Sequence, residues 1–139
     1  MNRLEQRFQQ TVAAYLDRVL PPGVFWTAVG HGGGGRVRGA ILKSMGLRAG
    51  TPDLIFLYRG QFLGLELKSA KGRVSPAQEE CMKLIVAAGG TWASARTLDD
   101  VERVLVAFGI PLRGRVLVWT SRVLSLCCST AGARRWTGS

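Results

Sequence analysis

A single histidine, His31, and three cysteines are the only imidazole and thiol groups in this chain of 139 residues. Their scarcity removes several chemistries at once. Cys81 stands alone and Cys127 and Cys128 are neighbours, which is neither a disulfide framework nor the paired spacing of a zinc site; all three read as reduced thiols. His31 lies in a glycine-rich run with no serine or cysteine elbow, so nucleophilic catalysis with a histidine base has no support. No membrane span is available, because Arg103, Arg113, Arg115 and Arg122 interrupt the apolar stretch between Val101 and Cys128 before it reaches about 20 residues. The start of the chain reads as a polar amphipathic helix rather than a secretory leader, and a cytoplasmic location is expected. Acidic residues are few as well. Nine Asp and Glu against nineteen Lys and Arg leave a formal charge of +10, an excess that favours polyanions such as nucleic acid or an acidic membrane surface.

What is present suffices for one core. Leu4, Phe8, Val12, Tyr15, Leu16 and Val19 recur at helical spacing until Pro21-Pro22-Gly23 ends the run. VFWTAV, residues 24–29, has strand composition, and the glycine-rich GHGGGGRVRG at 30–39 predicts a loop, followed by a short helix from Ala40 to Met45. Two apolar strands then flank Arg59-Gly60. Ser75, Pro76 and Gln78 have the spacing of a capping box and open a helix that Gly89-Gly90 closes. TWASAR at 91–96 is a further strand and Leu98 to Phe108 a further helix. The order is an α/β arrangement, a mixed central sheet flanked by helices. Residues 1–110 form one domain and 111–139 a C-terminal extension, in which RVLVWT has strand character and the last residues resemble a frayed terminus.

The hairpin PDLIFLYRGQFLGLELK, residues 52–68, carries charges where an apolar strand tolerates them least. With Arg59-Gly60 as a two-residue turn, Tyr58 faces Gln61 and, five steps further out, Asp53 faces Glu66. Directly opposed residues share one face with Cβ atoms about 4.5–5.5 Å apart, and Lys68 lies on the same face as Glu66 while Leu65 and Leu67 point to the other. Two opposed carboxylates repel, and a divalent cation is the natural offset, since Mg²⁺ is held by one or two carboxylates together with water and phosphate oxygens. An adjoining ammonium suits an anionic reaction centre. The plainer reading is a turn aspartate and a solvated, charged strand face; the register, the apolar flanks and the basic charge favour a site.

These residues resemble the PD-(D/E)XK nuclease superfamily, and within it the VRR-NUC domain of phage and bacterial stand-alone proteins and of a eukaryotic interstrand-crosslink repair nuclease. The stretches that match are EQRFQ, GLRAGTPDLIF and LGLELKSAKGRVSPAQ with the helix, Gly-Gly turn and strand that follow, from Glu5 to about Leu105. The resemblance implies an αβββαβ restriction-endonuclease-like core and a Mg²⁺-dependent DNA endonuclease, with Mn²⁺ substituting. It implies that Asp53, Glu66 and the backbone carbonyl of Leu67 are metal ligands, that Lys68 is the catalytic lysine, and that Glu5 and Gln78 contribute to the site. Stand-alone relatives of this type look like homodimers acting on branched or junction DNA. For Glu5, an ordinary first-turn carboxylate favouring its own helix dipole is the competing reading, and Gln78 has a capping role that is compatible with a catalytic one.

Arg36, Arg38, Lys43 and Arg48 precede the hairpin and Lys71 and Arg73 follow it, which makes them the candidates for DNA phosphate contacts. The glycine run lacks the Gly-Lys-Ser/Thr of a P-loop and reads first as a flexible loop. Trp26, Trp92 and Trp119 fall in strand-like runs, where core packing is the default. The alternative to a nuclease is a noncatalytic basic nucleic-acid-binding module whose affinity is carried by charge.

Overall fold

The structure, a computed structural model, describes residues 3–30 and 35–114, with the side chains of residues 35–38 outside the description. Among the described residues eight elements follow one another: α1 (Arg3–Val19), β1 (Val24–Ala28), α2 (Gly35–Ser44), β2 (Leu54–Tyr58), β3 (Gln61–Leu67), α3 (Pro76–Ala87), β4 (Thr91–Ala95) and α4 (Leu98–Ala107). The four strands form one sheet in the order β1-β2-β3-β4. The first three are an antiparallel meander, and β4 returns parallel to β3 after the α3 crossover.

The sheet follows from local chemistry. Arg59 and Gly60 both take positive φ, 50° and 75°, the paired left-handed conformation that a two-residue hairpin turn requires. The Arg59 guanidinium lies 5.1 Å from the centroid of the Tyr58 ring, a cation–π contact that helps hold a non-glycine residue there. The turn sets Tyr58 against Gln61 and carries the pairing out to Leu54 and Leu65, the register expected from the sequence.

One face of the sheet is the core. Leu54, Phe56, Leu63, Leu65, Leu67 and Ala95 are buried with Val12 and Leu16 of α1 and Val101 and Leu105 of α4. The opposite face meets α3, since a Cβ on Gly64 would come within 3.5 Å of Ile85 Cδ1. Strand β3 is therefore covered on both sides, and Leu63 through Leu67 are all buried. Leu4 does not join the apolar stripe of α1 but is 67% exposed.

One expectation is corrected. The sequence predicts loop through Gly39 and a helix only from Ala40 to Met45, whereas α2 begins at Gly35. Glycine costs a helix interior about 1 kcal/mol relative to alanine, but Gly35 is the first residue and Gly39 is the only interior one. Arg36, Arg38, Ala40, Leu42 and Lys43 are good helix formers and carry the helix back over them. Among the described residues no helix is long and apolar enough to cross a membrane. The glycine-rich residues 31–34 with His31, and residues 115–139 with Trp119, Cys127 and Cys128, lie outside the described residues. At the last described turn Arg113 N–H donates to Val19 O at 2.8 Å, so the chain passes the end of α1 there.

Helices α1 and α4 are joined by a polar link that sequence spacing does not reveal. The Tyr15 hydroxyl donates to Glu102 Oε2 at 2.8 Å, and Glu102 is buried. Burial first, then the hydrogen bond to Glu102 and the charges of Glu102 and Asp99, push the Tyr15 hydroxyl above its ordinary value of 10.0. The protonated phenol is thus favoured in the fold. The stability it contributes is complete below pH 10 and is lost as the pH rises from there through the higher folded value. Tyr15→Phe is expected to cost about 1–2 kcal/mol near neutrality; denaturant titrations near neutrality and above pH 10 should show that gap narrowing at the alkaline end.

Candidate metal and active site

Asp53 sits one step beyond the last paired residues of the hairpin, Leu54 and Leu65, at the mouth of β2 after Thr51-Pro52. Its backbone carbonyl accepts from Val29 N–H at 2.8 Å, which fixes the start of β2 against the end of β1. Its carboxylate Oδ2 accepts from Leu67 N–H at 2.7 Å, so the acid is tied to the neighbouring strand beside Glu66. Both acids are buried, Asp53 at 8% and Glu66 at 3% exposure.

Glu66 is the centre of a compact polar network. Lys68 Nζ lies 3.0 Å from Glu66 Oε1, and the Gln78 side-chain amide donates to the same oxygen. Lys68 Nζ also donates to Gln78 Oε1 at 2.8 Å. That amide oxygen further accepts from Ser75 N–H at 2.9 Å, and Ser75 Oγ accepts from Gln78 N–H at 3.3 Å. The capping box of α3 is present as the sequence predicts, and its glutamine serves the helix end and the lysine together. Behind it, Lys68 N–H donates to Ala95 O at 2.9 Å, so β4 fixes the lysine's backbone.

These groups open on a cavity of about 230 Å³ lined by Glu5, Gln9, Asp53, Glu66, Leu67, Lys68 and Gln78. All six residues that the sequence assigns to catalysis or metal binding are among them. Gln9 is not assigned from sequence, although it stands one helical turn after Glu5 and therefore on the same face of α1. The candidate phosphate contacts are placed differently. Lys43, Arg48, Lys71 and Arg73 are exposed, and none of them lines the cavity; the side chains of Arg36 and Arg38 are outside the description. Arg96, unassigned from sequence, donates to Gly72 O at 3.1 Å and so anchors the connector between Lys68 and α3. Trp26 packs in the core edge against Phe56, with ring centroids 6.4 Å apart.

The acid pair is less exposed to self-repulsion than strand register alone suggests. Leu67 N–H meets Asp53, while Lys68 and Gln78 meet Glu66, so protein donors already offset part of the charge. Among the described residues no three of His, Cys, Asp and Glu gather into a ready-made metal cluster; Glu5 shares the cavity without completing one. The ligating groups that Asp53, Glu66 and the Leu67 backbone would bring to an ion in this cavity are all oxygens. An all-oxygen set with two carboxylates fits a hard divalent cation such as Mg²⁺ and would not select a soft or thiophilic metal.

Two solved structures share this architecture. A VRR_NUC domain protein is 24% identical, with a TM-score of 0.61 over 78% of this chain and 90% of its own. A second VRR_NUC domain is 18% identical, with a TM-score of 0.52 over 76% of this chain and 96% of its own. This likeness establishes the fold: a VRR-NUC-type, restriction-endonuclease-like α/β core with a four-stranded mixed sheet. No family model matches the chain, and no curated protein does.

Proposed function

We propose that this chain is a divalent-metal-dependent DNA nuclease of the VRR-NUC type. The observation that carries the reading is the convergence of Asp53, Glu66, Leu67 and Lys68 on one cavity at the C-terminal end of β3 and the mouth of β2, on a fold shared with VRR_NUC domains. Asp53, Glu66 and the Leu67 carbonyl would hold the ion. Mg²⁺ or Mn²⁺ at this position supplies Lewis acidity toward a phosphate oxygen and a bound water of lowered pKa. Lys68, held by Gln78 and Glu66, keeps an ammonium beside the place where negative charge develops as a phosphodiester is cut. Glu5 closes the cavity from α1. The +10 charge supplies salt-sensitive attraction to DNA, with Lys43, Arg48, Lys71, Arg73, Arg36 and Arg38 as its phosphate contacts.

Branched or junction DNA is the proposed substrate and a homodimer the proposed working form. Phe25 and Leu57, paired across β1 and β2, are 58% and 48% exposed and offer an apolar sheet face to a second copy. Sedimentation showing only monomer while cleavage is intact removes the dimer. The enzymatic reading is tested by incubating duplex, flap and junction DNA with Mg²⁺, Mn²⁺ or EDTA: metal-dependent cutting of at least one substrate is expected.

The noncatalytic alternative has one observation in its favour, the compensation of the acid pair by protein donors. It requires that no substrate be cut in either metal. Gln78 separates the two readings more finely. Ser75→Ala removes the helix cap and should cost about 1 kcal/mol of stability. Gln78→Ala should cost a similar amount and in addition lower cleavage roughly 10–100-fold, the usual effect of losing a group that orients a metal site. Thermal melts beside cleavage rates for both variants would check this.

A further inference from the structure

The wall formed by Gln9 has two sides. One faces the acid cavity; the other opens on a separate groove of about 520 Å³ between α1 and the end of β1, lined by Gln6, Gln9, Gln10, Ala13, Trp26 and residues 27–30. Among the described residues no charged side chain lines this groove, which sets it apart from the acid cavity. Its polar groups include three amides within about one turn of α1, those of Gln6, Gln9 and Gln10, each able to donate and accept. Amides of this kind match the edges of nucleobases, which present both functions, better than they match phosphate oxygens. Its aromatic group is Trp26, half-buried and braced by the stack on Phe56, so a flat apolar surface is held in place before any ligand arrives. Aromatic side chains of this kind stack unpaired bases with little regard to sequence.

We propose that this groove binds the unpaired nucleotide flanking the phosphate seated at Asp53 and Glu66, with its base against Trp26 and its edge on Gln6 and Gln10. The proposal rests on the nuclease reading for the position of that phosphate. Continuity through Gln9 argues for one strand occupying both spaces, because a chain leaving the acid cavity on the α1 side meets this groove next. A nucleotide inside a continuous duplex has its base stacked and paired and cannot enter. The groove therefore favours DNA that is unpaired beside the cut, and a volume of this size is in the range of small-ligand pockets.

The test places 5-iododeoxyuridine singly at each position around the cut in a flap substrate, with Ca²⁺ replacing Mg²⁺, and identifies the crosslinked peptide by mass spectrometry. The expected result is attachment at Trp26 or within residues 6–13 from a nucleotide adjacent to the cut. Steady-state kinetics supply the second arm: Gln6→Ala with Gln10→Ala should raise KM for the flap about tenfold relative to KM for a continuous duplex. Crosslinks confined to α2 or to residues 69–74, or an unchanged KM ratio, overturn the proposal while leaving cleavage and the nuclease reading intact. Crosslinking at Trp26 by a protein that cuts no DNA keeps the groove and sinks the nuclease reading.

Discussion

Lys68→Ala should lower Mg²⁺-dependent cleavage by about 10³-fold, the scale on which a single preorganised charge at a reaction centre acts, while metal uptake persists. The same substitution has a distinctive effect on stability. Lys68 pairs with Glu66, whose side chain is 4% exposed, and removing one partner of a buried ion pair typically costs about 3 kcal/mol or more. A divalent ion bound by Glu66 replaces the missing positive charge. Lys68→Ala should therefore melt well below the wild type in EDTA and recover more than the wild type when Mn²⁺ is added. Asp53→Asn and Glu66→Gln should instead lose both cleavage and the response to metal, and Glu66→Gln should also melt below the wild type in EDTA because it leaves Lys68 without its buried partner. Thermal melts of the four proteins with and without Mn²⁺ make the comparison. Equal metal responses in all of them would show that these side chains hold no ion.

Gly50→Ala should be nearly as damaging, by a different route. Gly50 has φ +79°, and a Cβ there would lie 2.1 Å from Ala77 O, 2.4 Å from Ala77 C and 2.6 Å from Gln78 N. These are backbone atoms in the first turn of α3, so no side chain can swing away. Left-handed strain of about 1–2 kcal/mol combines with about 1–3 kcal/mol for forcing packed segments apart, a large part of the 5–15 kcal/mol typical of a domain. The displacement also has a direction. Gly50 is three residues from Asp53, and Ala77-Gln78 is the backbone that presents Gln78 to Lys68 and Glu66, so relief of the clash separates the two halves of the site. Gly46 provides the control: its φ is +96°, but an added Cβ meets nothing within 4 Å. Gly46→Ala should show the strain cost alone and keep its cleavage, whereas Gly50→Ala should lose both stability and activity at temperatures where it remains folded.

Much of this site was legible because a turn counts residues. Once Arg59-Gly60 is a two-residue loop, the partners of every strand position follow, and Asp53, Glu66 and Lys68 are brought together by arithmetic. The capping box at Ser75 and Gln78 was legible for a similar reason, being a local spacing with one physical meaning. A second box, Thr97 with Asp100 at the start of α4, carries the same signal in TLDD and was open to the same argument. Contacts between distant segments had no such signature. Tyr15 and Glu102 are 87 residues apart, and only the packing of α1 on α4 makes them partners. The approach of Gly50 to α3 is likewise invisible in a sequence that shows only a glycine before Thr-Pro-Asp. The partial neutralisation of the acids has no sequence signature, because one of its donors, the Leu67 N–H, is a backbone group that every residue but proline possesses. The start of helix α2 is obscured in the sequence because Gly35 and Gly39 signal a loop more strongly than the helix formers beside them.

Binding of Mn²⁺ followed by isothermal titration calorimetry bears most directly on the claim that Asp53 and Glu66 face each other to hold a divalent cation. The wild type and Lys68→Ala should take up the ion, the latter at least as tightly because no ammonium competes for Glu66, and Asp53→Asn and Glu66→Gln should not. No uptake by the wild type, or undiminished uptake by both acid variants, would contradict it.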